Sequence, residues 1–328
     1  MAGFPAIQFH WSLKMDRRLF LGTLAAARSL RAERKAWTFA PTRNGKTLTA
    51  PDGHTVLSYL TSKPEGIPLA GNSVCCFHPL TTPSGEPVTD IAPPDHRDHR
   101  GAFFAWGNIE FDRPTGKKPG DFWGWGRYAP VKDRVIQNRE LLFTRSNAKS
   151  ATITVHNDWM LEGEKVLAEA TTASVRMDKD TNIYDLTFRF QSDGAFTIHQ
   201  LAFTGFVVRC RKDGQYFMSN AKGKVALPDC NATKPELNWP AENWYSHTNV
   251  LESGKTVATA LIDHPGNPKS TWHYTKQISF LNPCVSAQGP VSVGEGKPLT
   301  LRYRVLTRDG AFPTGLVDKY SAEFRKRA

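Results

Sequence analysis

The chain has 328 residues, 40% of them hydrophobic, with 42 Lys and Arg against 31 Asp and Glu and a formal net charge of +11. This content supports a sizeable core, and no apolar run reaches the roughly 20 residues that a membrane-spanning helix needs. The basic excess lies at the chain ends, with seven basic against two acidic residues over 1–36 and seven against three over 302–328. That distribution argues against a nucleic-acid-binding face.

The first predicted element is an export signal. Arg17-Arg18 precedes the apolar run Leu19–Ala27, a pattern that resembles a twin-arginine signal with Met15 as the start. A basic amphipathic helix or a misassigned start codon is the alternative. We therefore expect a periplasmic or secreted protein with a signal or disordered segment over 1–36 and a single β domain over 37–328.

Strand signals then recur at intervals of roughly ten residues, as in an all-β protein. The predicted strands include 72–77, 101–106, 131–137, 141–146, 151–157, 165–177, 182–191, 196–199, 203–211, 255–263, 277–281, 291–293 and 299–306. Only 314–327 shows helical spacing, with Leu316, Tyr320 and Phe324 four residues apart. The pattern predicts an all-β fold, a large antiparallel two-sheet β-sandwich with a short C-terminal helix.

Five cysteines are present, and none forms a CxxC pair, which argues against a zinc ribbon or a thioredoxin-type motif. Adjacent Cys75 and Cys76 are predicted to point to opposite faces of one strand. Cys210 and Cys230 flank a predicted hairpin, so they either pair in an oxidising compartment or remain buried free thiols.

The stretch Phe77–Trp125 combines titratable side chains with aromatic rings. Pro residues enforce a long irregular loop between 79 and 94, and loops of this length are usually functional or disordered. The aromatic content favours an ordered loop that grips a flat polar molecule such as a sugar ring. Its candidate site residues are His78, Asp95, His96, Asp98, His99, Arg100, Trp106, Trp123 and Trp125.

A second candidate segment, IDHPGNPKSTWH over 262–273, follows a predicted strand. It places His264 at a strand end and adds Asn267 and Trp272. Because strand-end loops of a sandwich cluster at one rim, we expect His264 to meet His78, His96 and His99 there.

The predicted chemistry is acid–base catalysis on a carbohydrate. His99 or His264 would act as acid or base with His96 nearby, Asp98 would be the partner, and Arg100 would give electrostatic support. The tryptophans would stack on a sugar ring. This predicts an exported enzyme that acts on a glycoside or an oxidised sugar as a hydrolase, lyase or isomerase, with no cofactor and a carbohydrate as its partner.

Three alternatives use the same residues. One is a non-catalytic carbohydrate-binding protein. Another is a metal-dependent enzyme, since His96-x-x-His99 with Asp95 and Asp98 supplies ligands for a divalent ion, although outside the helical H-E-x-x-H context. The third alternative is a loop with a purely structural role, in which Asp95 and Asp98 cap turns.

These motifs resemble the PmoA-like family of exported bacterial proteins. The matching segments are HPLTTPSGEPVTDIAPPDHRDHRGAFFAWG, GDFWG, IDHPGNP with TWH, and LTLRYRVLTRDG, over about residues 40–312. The resemblance implies a β-sandwich similar to the galactose-mutarotase supersandwich, in a family whose biochemistry is poorly defined. By motif the resemblance points to twelve positions: His78, Asp95, His96, His99, Arg100, Gly101, Trp106, Asp121, Trp123, His264, Asn267 and Trp272.

This chain departs from that family pattern in three places. Asp98-His99 stands where many members have two histidines, and Phe203-Thr204-Gly205 where many have Lys-Glu-Gly. Many members also have an acidic residue in the region of Trp244–His247. If the family's glutamate is a catalytic acid, either another residue replaces it here or the reaction has changed. The nearest local substitutes are His199, Gln200 and Arg209.

Overall fold

A computed structural model describes residues 36–70, 73–123 and 134–326. These residues are mostly β-strand, and the predicted all-β fold with one short C-terminal helix is confirmed. The predicted export signal and Trp125 lie outside the described residues and stay predictions. In the described part of the chain, no helix has the length and apolarity required to cross a membrane.

The strands are β1 (Thr38–Thr42), β2 (Gly45–Thr49), β3 (Thr55–Leu60), β4 (Cys76–Leu80), β5 (Ala102–Ala105), β6 (Ile109–Arg113), β7 (Gly116–Gly120), β8 (Arg134–Ser146), β9 (Ser150–Leu161), β10 (Glu164–Asp178), β11 (Thr181–Gln191), β12 (Phe196–Ile198), β13 (Gly205–Arg209), β14 (Gly214–Asn220), β15 (Gly223–Lys224), β16 (Trp244–Leu251), β17 (Thr256–Asp263), β18 (Thr271–His273), β19 (Phe280–Cys284), β20 (Val291–Val293) and β21 (Leu299–Asp309). A 3₁₀ turn spans Pro235–Leu237, and the helix α1 spans Leu316–Arg325.

The strands form three antiparallel sheets. An eight-stranded sheet has the order β1-β2-β3-β4-β5-β13-β19-β18, and a nine-stranded sheet has the order β15-β14-β16-β17-β21-β11-β10-β9-β8. A four-stranded sheet, β20-β12-β6-β7, adds a layer that the two-sheet prediction lacked.

The main core lies between the two large sheets because apolar side chains alternate along their strands. In β9, Ala151, Ile153, Val155, Asn157 and Trp159 are buried while the residues that alternate with them are partly exposed. In β5 and β13, Phe104 and Phe206 join the same core. Period-two alternation therefore accounts for the sandwich.

Both large sheets carry a smaller apolar cluster on their outer faces. On the eight-stranded sheet this cluster contains Cys76, Phe103, Val207 and Phe280. On the nine-stranded sheet it lies beneath α1 and includes residues 183, 244, 260, 262, 306, 317, 320 and 324. The predicted site residues therefore fall into two groups, one near each of these two outer clusters.

Several strands differ from those predicted from the sequence. The predicted strands 131–137 and 141–146 meet within one long strand, β8, which continues through irregular pairing at Asn138/Glu140 and Phe143/Arg145. The strand β16 was missed because its buried residues include Ser246, His247 and Asn249, which hide the apolar pattern.

The cysteines are all buried and free. Cys75 belongs to the main core and Cys76 to the outer cluster of the eight-stranded sheet, so the predicted opposite orientation is confirmed. Of the two alternatives for Cys210 and Cys230, the structure has the free thiols.

Candidate functional site

The loop that follows β4 covers the outer face of the eight-stranded sheet and carries the candidate residues. Its ends are joined by a bridge between Ile91 and Arg100, with hydrogen bonds from the Ala92 amide to the His99 carbonyl (2.7 Å) and from the Gly101 amide to the Asp90 carbonyl (2.7 Å). Backbone pairing therefore fixes the turn that presents residues 95–99.

Gly101 is required where this loop enters β5. Its φ is +56°, and a Cβ at this position would lie 2.3 Å from the Phe77 carbonyl oxygen and 2.7 Å from the His78 Cβ. Only glycine fits a left-handed residue packed this closely against a neighbouring strand.

Beneath the loop, Asp95 is held by two cations. Nη2 of Arg209, a fully buried residue of β13, donates to both Asp95 oxygens at 2.9 and 2.8 Å, and Lys212 Nζ donates at 2.9 Å. Burial alone would raise the pKa of Asp95, but these two partners lower it to about 2. Asp95 is therefore an anchored anion rather than a proton donor.

Asp98 and His99 form a buried pair with the opposite behaviour. Oδ2 of Asp98 lies 4.0 Å from Nε2 of His99 and has no hydrogen-bond partner among the described residues. Burial raises the pKa of Asp98 to about 6 and holds the pKa of His99 well below its usual range. Near neutral pH the pair therefore combines a neutral imidazole with a carboxyl that gains or loses its proton easily.

Two buried guanidinium groups lie next to this pair. Arg100 sits 4.3 Å above the Phe103 ring centroid and donates through Nη1 to the Asp98 carbonyl at 3.2 Å. Nε and Nη2 of Arg100, and Nε and Nη1 of Arg209, find no acceptor in the described part of the chain. A buried donor without a partner calls for an explanation, and a bound acceptor is one that these guanidinium groups allow.

Five aromatic rings close into a circuit beside the pair, which we call the five-ring cluster: His99, Trp123, Phe203, His273 and Phe280. Successive centroids lie 6.1 Å (His99–Trp123), 5.2 Å (Trp123–Phe203), 5.2 Å (Phe203–His273), 5.7 Å (His273–Phe280) and 5.5 Å (Phe280–His99) apart. His96 packs against His99 at 4.9 Å. The cluster joins two histidines through apolar rings.

The structure brings together Asp95, His96, Asp98, His99 and Arg100, and adds Trp123 through its contact with His99. His78 lies in β4 rather than at its end, next to Gly101, and its Nδ1 is 3.0 Å from Thr89 Oγ1. Burial lowers the pKa of His78 to about 4.

The expected meeting of His264 with His99 does not occur. His264 continues the face of β17 that carries Ile262, and its ring lies 5.0 Å from Phe324 of α1, on the outer side of the nine-stranded sheet. Asn267 donates to Asp263 (2.6 Å) and to the Arg302 carbonyl (2.8 Å), which fixes the loop. The prediction that His264 joins His99 was wrong because His264 packs against α1 on the outer face of the nine-stranded sheet.

The predicted stacking roles of Trp106 and Trp272 are also wrong. Trp106 is fully buried and packs against Phe104 at 4.6 Å in the main core. Trp272 is equally buried, and its indole N–H donates to the Glu242 carbonyl at 2.9 Å. A ring enclosed on all sides offers no face to a ligand.

His199 lies elsewhere, next to the four-stranded sheet. Its Nε2 is 4.0 Å from Glu110, and its side chain is 40% exposed. It is not among the residues that contact the Asp98–His99 pair.

Sequence reasoning overlooked three contributors to the site: Phe203, His273 and Phe280. It named Arg209 only as a local substitute for a missing family residue. Arg209 ends the otherwise apolar strand GFVVR, and a charge in a fully buried strand is the signal that was available. No comparable signal marked Phe203 or Phe280, whereas His273 ends the second candidate segment, 262–273, and was not singled out there.

The metal interpretation has no ligand set in the described ranges. No group of three or more His, Cys, Asp or Glu side chains there is arranged to hold a metal ion. Asp95 is engaged by Arg209 and Lys212, and His264 lies on the other sheet.

Residues 47–322 match the model of DUF6807, described as a family of unknown function. The chain belongs to this family. The resemblance to the PmoA-like family stays a prediction. No curated protein matches the sequence.

Solved structures with similar folds include carbohydrate-related proteins. GH36 α-galactosidase AgaA from Geobacillus stearothermophilus has 8% identity and a TM-score of 0.40, over 84% of this chain and 40% of that chain. A putative aldose 1-epimerase from Escherichia coli K12 (9%, TM-score 0.40) covers 83% of this chain and 99% of its own. A galactose mutarotase-like protein from Lactobacillus casei has 9% identity and a TM-score of 0.40, with coverages of 83% and 100%. The chain spans about 40% of the length of the α-galactosidase, and these weak likenesses describe only what the chain resembles.

Proposed function

We propose that this DUF6807 protein is a carbohydrate-active enzyme that transfers protons through Asp98 and His99. The observation that carries the proposal is the buried pair itself, with Asp98 Oδ2 lying 4.0 Å from His99 Nε2 and unpartnered within the described residues. An acid–base residue works best when its pKa lies near the working pH, and the pKa of Asp98 is about 6.

The division of labour follows from the charges around the pair. The protonated Asp98 donates to a departing or carbonyl oxygen, and the neutral His99 accepts a proton from a hydroxyl. The free N–H groups of Arg100 and Arg209 stabilise the negative charge that develops on a substrate oxygen. Arg209 also keeps Asp95 ionised, so the nearby carboxylates divide into one fixed anion and one titrating group.

A carbohydrate is the substrate class that suits both halves of the site. Hydroxyl groups match the donors and acceptors around Asp98, and the C–H face of a sugar ring matches an aromatic ring such as Phe203. Phe203 is only partly buried, so it is the member of the five-ring cluster that offers surface to an approaching ligand.

The test is turnover by the purified protein on a panel of plant and algal glycosides and their 3-keto derivatives, followed by mass spectrometry with and without chelator. We expect a product that disappears in Asp98→Asn and His99→Ala but persists in His156→Gln, a change on β9 of the other sheet. A product mass shift of one water separates hydrolysis from elimination or isomerisation.

Loss of the product with chelator would instead support the metal-dependent interpretation. Binding of a sugar without any turnover would support a carbohydrate-binding protein and contradict the proposal.

Export stays part of the proposal because Arg17-Arg18 and the run Leu19–Ala27 have the twin-arginine pattern. Replacement of both arginines by lysine should retain the protein in the cytoplasm of an expressing bacterium. Unchanged appearance in the periplasmic fraction would contradict this assignment.

A further inference from the structure

We propose that His273 is a second proton-transfer residue of this site and that Asn238 sets its tautomer so that Nε2 acts as a proton acceptor. The inference rests on the proposed function, because it assigns His273 to the same reaction. It adds His273 of β18 and Asn238 of the loop before β16 to a site whose acid–base pair lies in the loop between β4 and β5.

The orientation of the Asn238 amide is determined by its neighbours. Its Nδ2 donates to the Ala202 carbonyl at 2.6 Å and to Thr271 Oγ1 at 3.3 Å. A carbonyl oxygen can only accept, so the amide nitrogen must face Ala202 and Oδ1 must face the other way. Oδ1 then lies 2.9 Å from Nδ1 of His273.

The tautomer of His273 follows from that contact. Because Oδ1 of Asn238 has no proton to give, the hydrogen between the two atoms must belong to Nδ1. A neutral imidazole has one N–H, so Nε2 carries the lone pair. Carbonyl or carboxylate partners fix a histidine's tautomer in the same way in many sites.

The backbone holds the two partners in register. Trp239 and Trp272, the residues next to Asn238 and His273, exchange two backbone hydrogen bonds of 2.8 and 3.0 Å. The backbone N–H of Asn238 also donates to the Pro235 carbonyl at 3.1 Å, at the end of the 3₁₀ turn. Asn238 is therefore a positioning residue on a rigid support.

Phe280 packs against both His273 and His99. The His273 ring is 5.7 Å from Phe280, which is 5.5 Å from His99, and it is 5.2 Å from Phe203. Burial lowers the pKa of His273 to about 4, so the ring is neutral at physiological pH. The groups packed against it, Asn238, Phe203 and Phe280, carry no charge, and His99 beyond Phe280 is neutral.

The proposed step balances in protons and charge. The O–H bond of a sugar hydroxyl breaks, its electron pair stays on oxygen, and a new N–H bond forms at Nε2 of His273. The imidazolium so formed lies in an apolar environment and returns its proton readily to product or water. Asp98 in its protonated form supplies the proton required at the second oxygen of the substrate.

The first test reads the tautomer directly and needs no substrate. Long-range ¹H–¹⁵N spectra of the labelled protein at pH 7, with His273→Gln to assign the signals, should show Nδ1 protonated and Nε2 bare. The signals should keep this pattern as the pH falls to 5. A proton on Nε2, or an imidazolium at pH 7, would overturn the inference.

The second test uses Asn238→Asp, which replaces a neutral acceptor with an anionic one of the same size. A carboxylate next to Nδ1–H raises the pKa of His273, so the acid limb of the pH–rate profile should move by at least one pH unit toward neutrality. The exposed substitution Asn231→Asp is the control and should leave the profile unmoved. A uniform loss of rate in Asn238→Asp, without a shift of the limb, would mean a structural role and overturn the inference.

The two tests separate the possible failures. If the tautomer is as predicted but no carbohydrate is turned over, the proposed function is contradicted, and so is the catalytic role of His273. Turnover together with the wrong tautomer contradicts only the inference about His273.

Discussion

Arg209 donates from one guanidinium nitrogen to both carboxylate oxygens of Asp95, at 2.9 and 2.8 Å. This bond ties the tip of the loop over the eight-stranded sheet to β13 beneath it. The backbone repeats the connection, since the Arg209 amide donates to the Gly101 carbonyl at 2.8 Å and the Asp90 amide to the Arg209 carbonyl at 3.0 Å. The site thus stands on the sheet rather than on a free loop.

Arg209→Gln should destabilise the protein strongly. The substitution removes two charge-assisted hydrogen bonds to Asp95 and leaves Lys212 to hold the carboxylate, which costs on the order of 3 kcal/mol. Arg43→Gln is the matched control, because Arg43 and Glu65 form an exposed pair with 78% and 75% of their side chains accessible, and such pairs contribute at most about 1 kcal/mol. Urea unfolding of the two variants measures the difference, and equal losses would show that the Asp95 contact has no special role.

Gly101→Ala tests the turn that delivers the loop to β5. The new methyl group would meet the Phe77 carbonyl at 2.3 Å, so backbone must move and we expect a loss of roughly 3 kcal/mol or more. Gly66→Ala has a comparable φ of +76° with no atom within 4 Å of its Cβ, and should cost about 1 to 2 kcal/mol. Thermal unfolding compares them, and similar melting temperatures would refute the steric argument.

Asp98→Asn should stabilise the protein relative to wild type more at pH 7 than at pH 4. Burial raises the pKa of Asp98 in the folded state to about 6, above its usual value of 3.8, so between these pH values the folded state holds a proton that the unfolded chain has released. The contribution of this carboxyl to stability is therefore full below pH 4 and is lost as the pH rises through 6.

The substitution by asparagine removes this pH dependence of the free energy of unfolding, which amounts to at most about 3 kcal/mol. Urea unfolding of wild type and variant at the two pH values gives the difference directly. A difference that is the same at pH 4 and pH 7 would show that Asp98 titrates normally.

The five cysteines provide a check on the packing. All are buried, and burial raises the pKa of Cys75, Cys76 and Cys210 to about 12. A thiol reagent at pH 7 should therefore label none of these three in the folded protein and all of them in urea, because thiolates are the reactive form. Rapid labelling of native Cys76 would contradict the outer cluster of the eight-stranded sheet.

Much of the fold could be predicted because long strands with one buried face show their alternation plainly, as β9 does. Strands buried on both faces show no alternation. Every residue of β5 and β13 is buried, although both strands lie within the predicted strands 101–106 and 203–211. The strand β16 was missed for a related reason. Its buried residue His247 is polar and has a hydrogen-bond partner inside the fold, with its Nε2 2.6 Å from Ser279 Oγ, so burial there does not show as an apolar pattern.

The site could be predicted in part because Asp95–Arg100 lie together in the sequence, whereas Phe203, His273 and Phe280 come from distant segments. His264 was misplaced for a physical reason. Alternation shows that it shares a face with Ile262, but only the packing of α1 against that face shows which side of the molecule it is on. Arg209 was the exception, since a buried charge in an apolar strand is visible without a structure.

The central claim is that Asp98 and His99 transfer protons on a carbohydrate. The most direct measurement is product formation from the glycoside and 3-keto-glycoside panel by wild type, Asp98→Asn, His99→Ala and His156→Gln, with each variant first shown to be folded. We predict product with wild type and His156→Gln, and a fall of at least about 100-fold in rate with the other two. Full activity in folded Asp98→Asn and His99→Ala would contradict the claim.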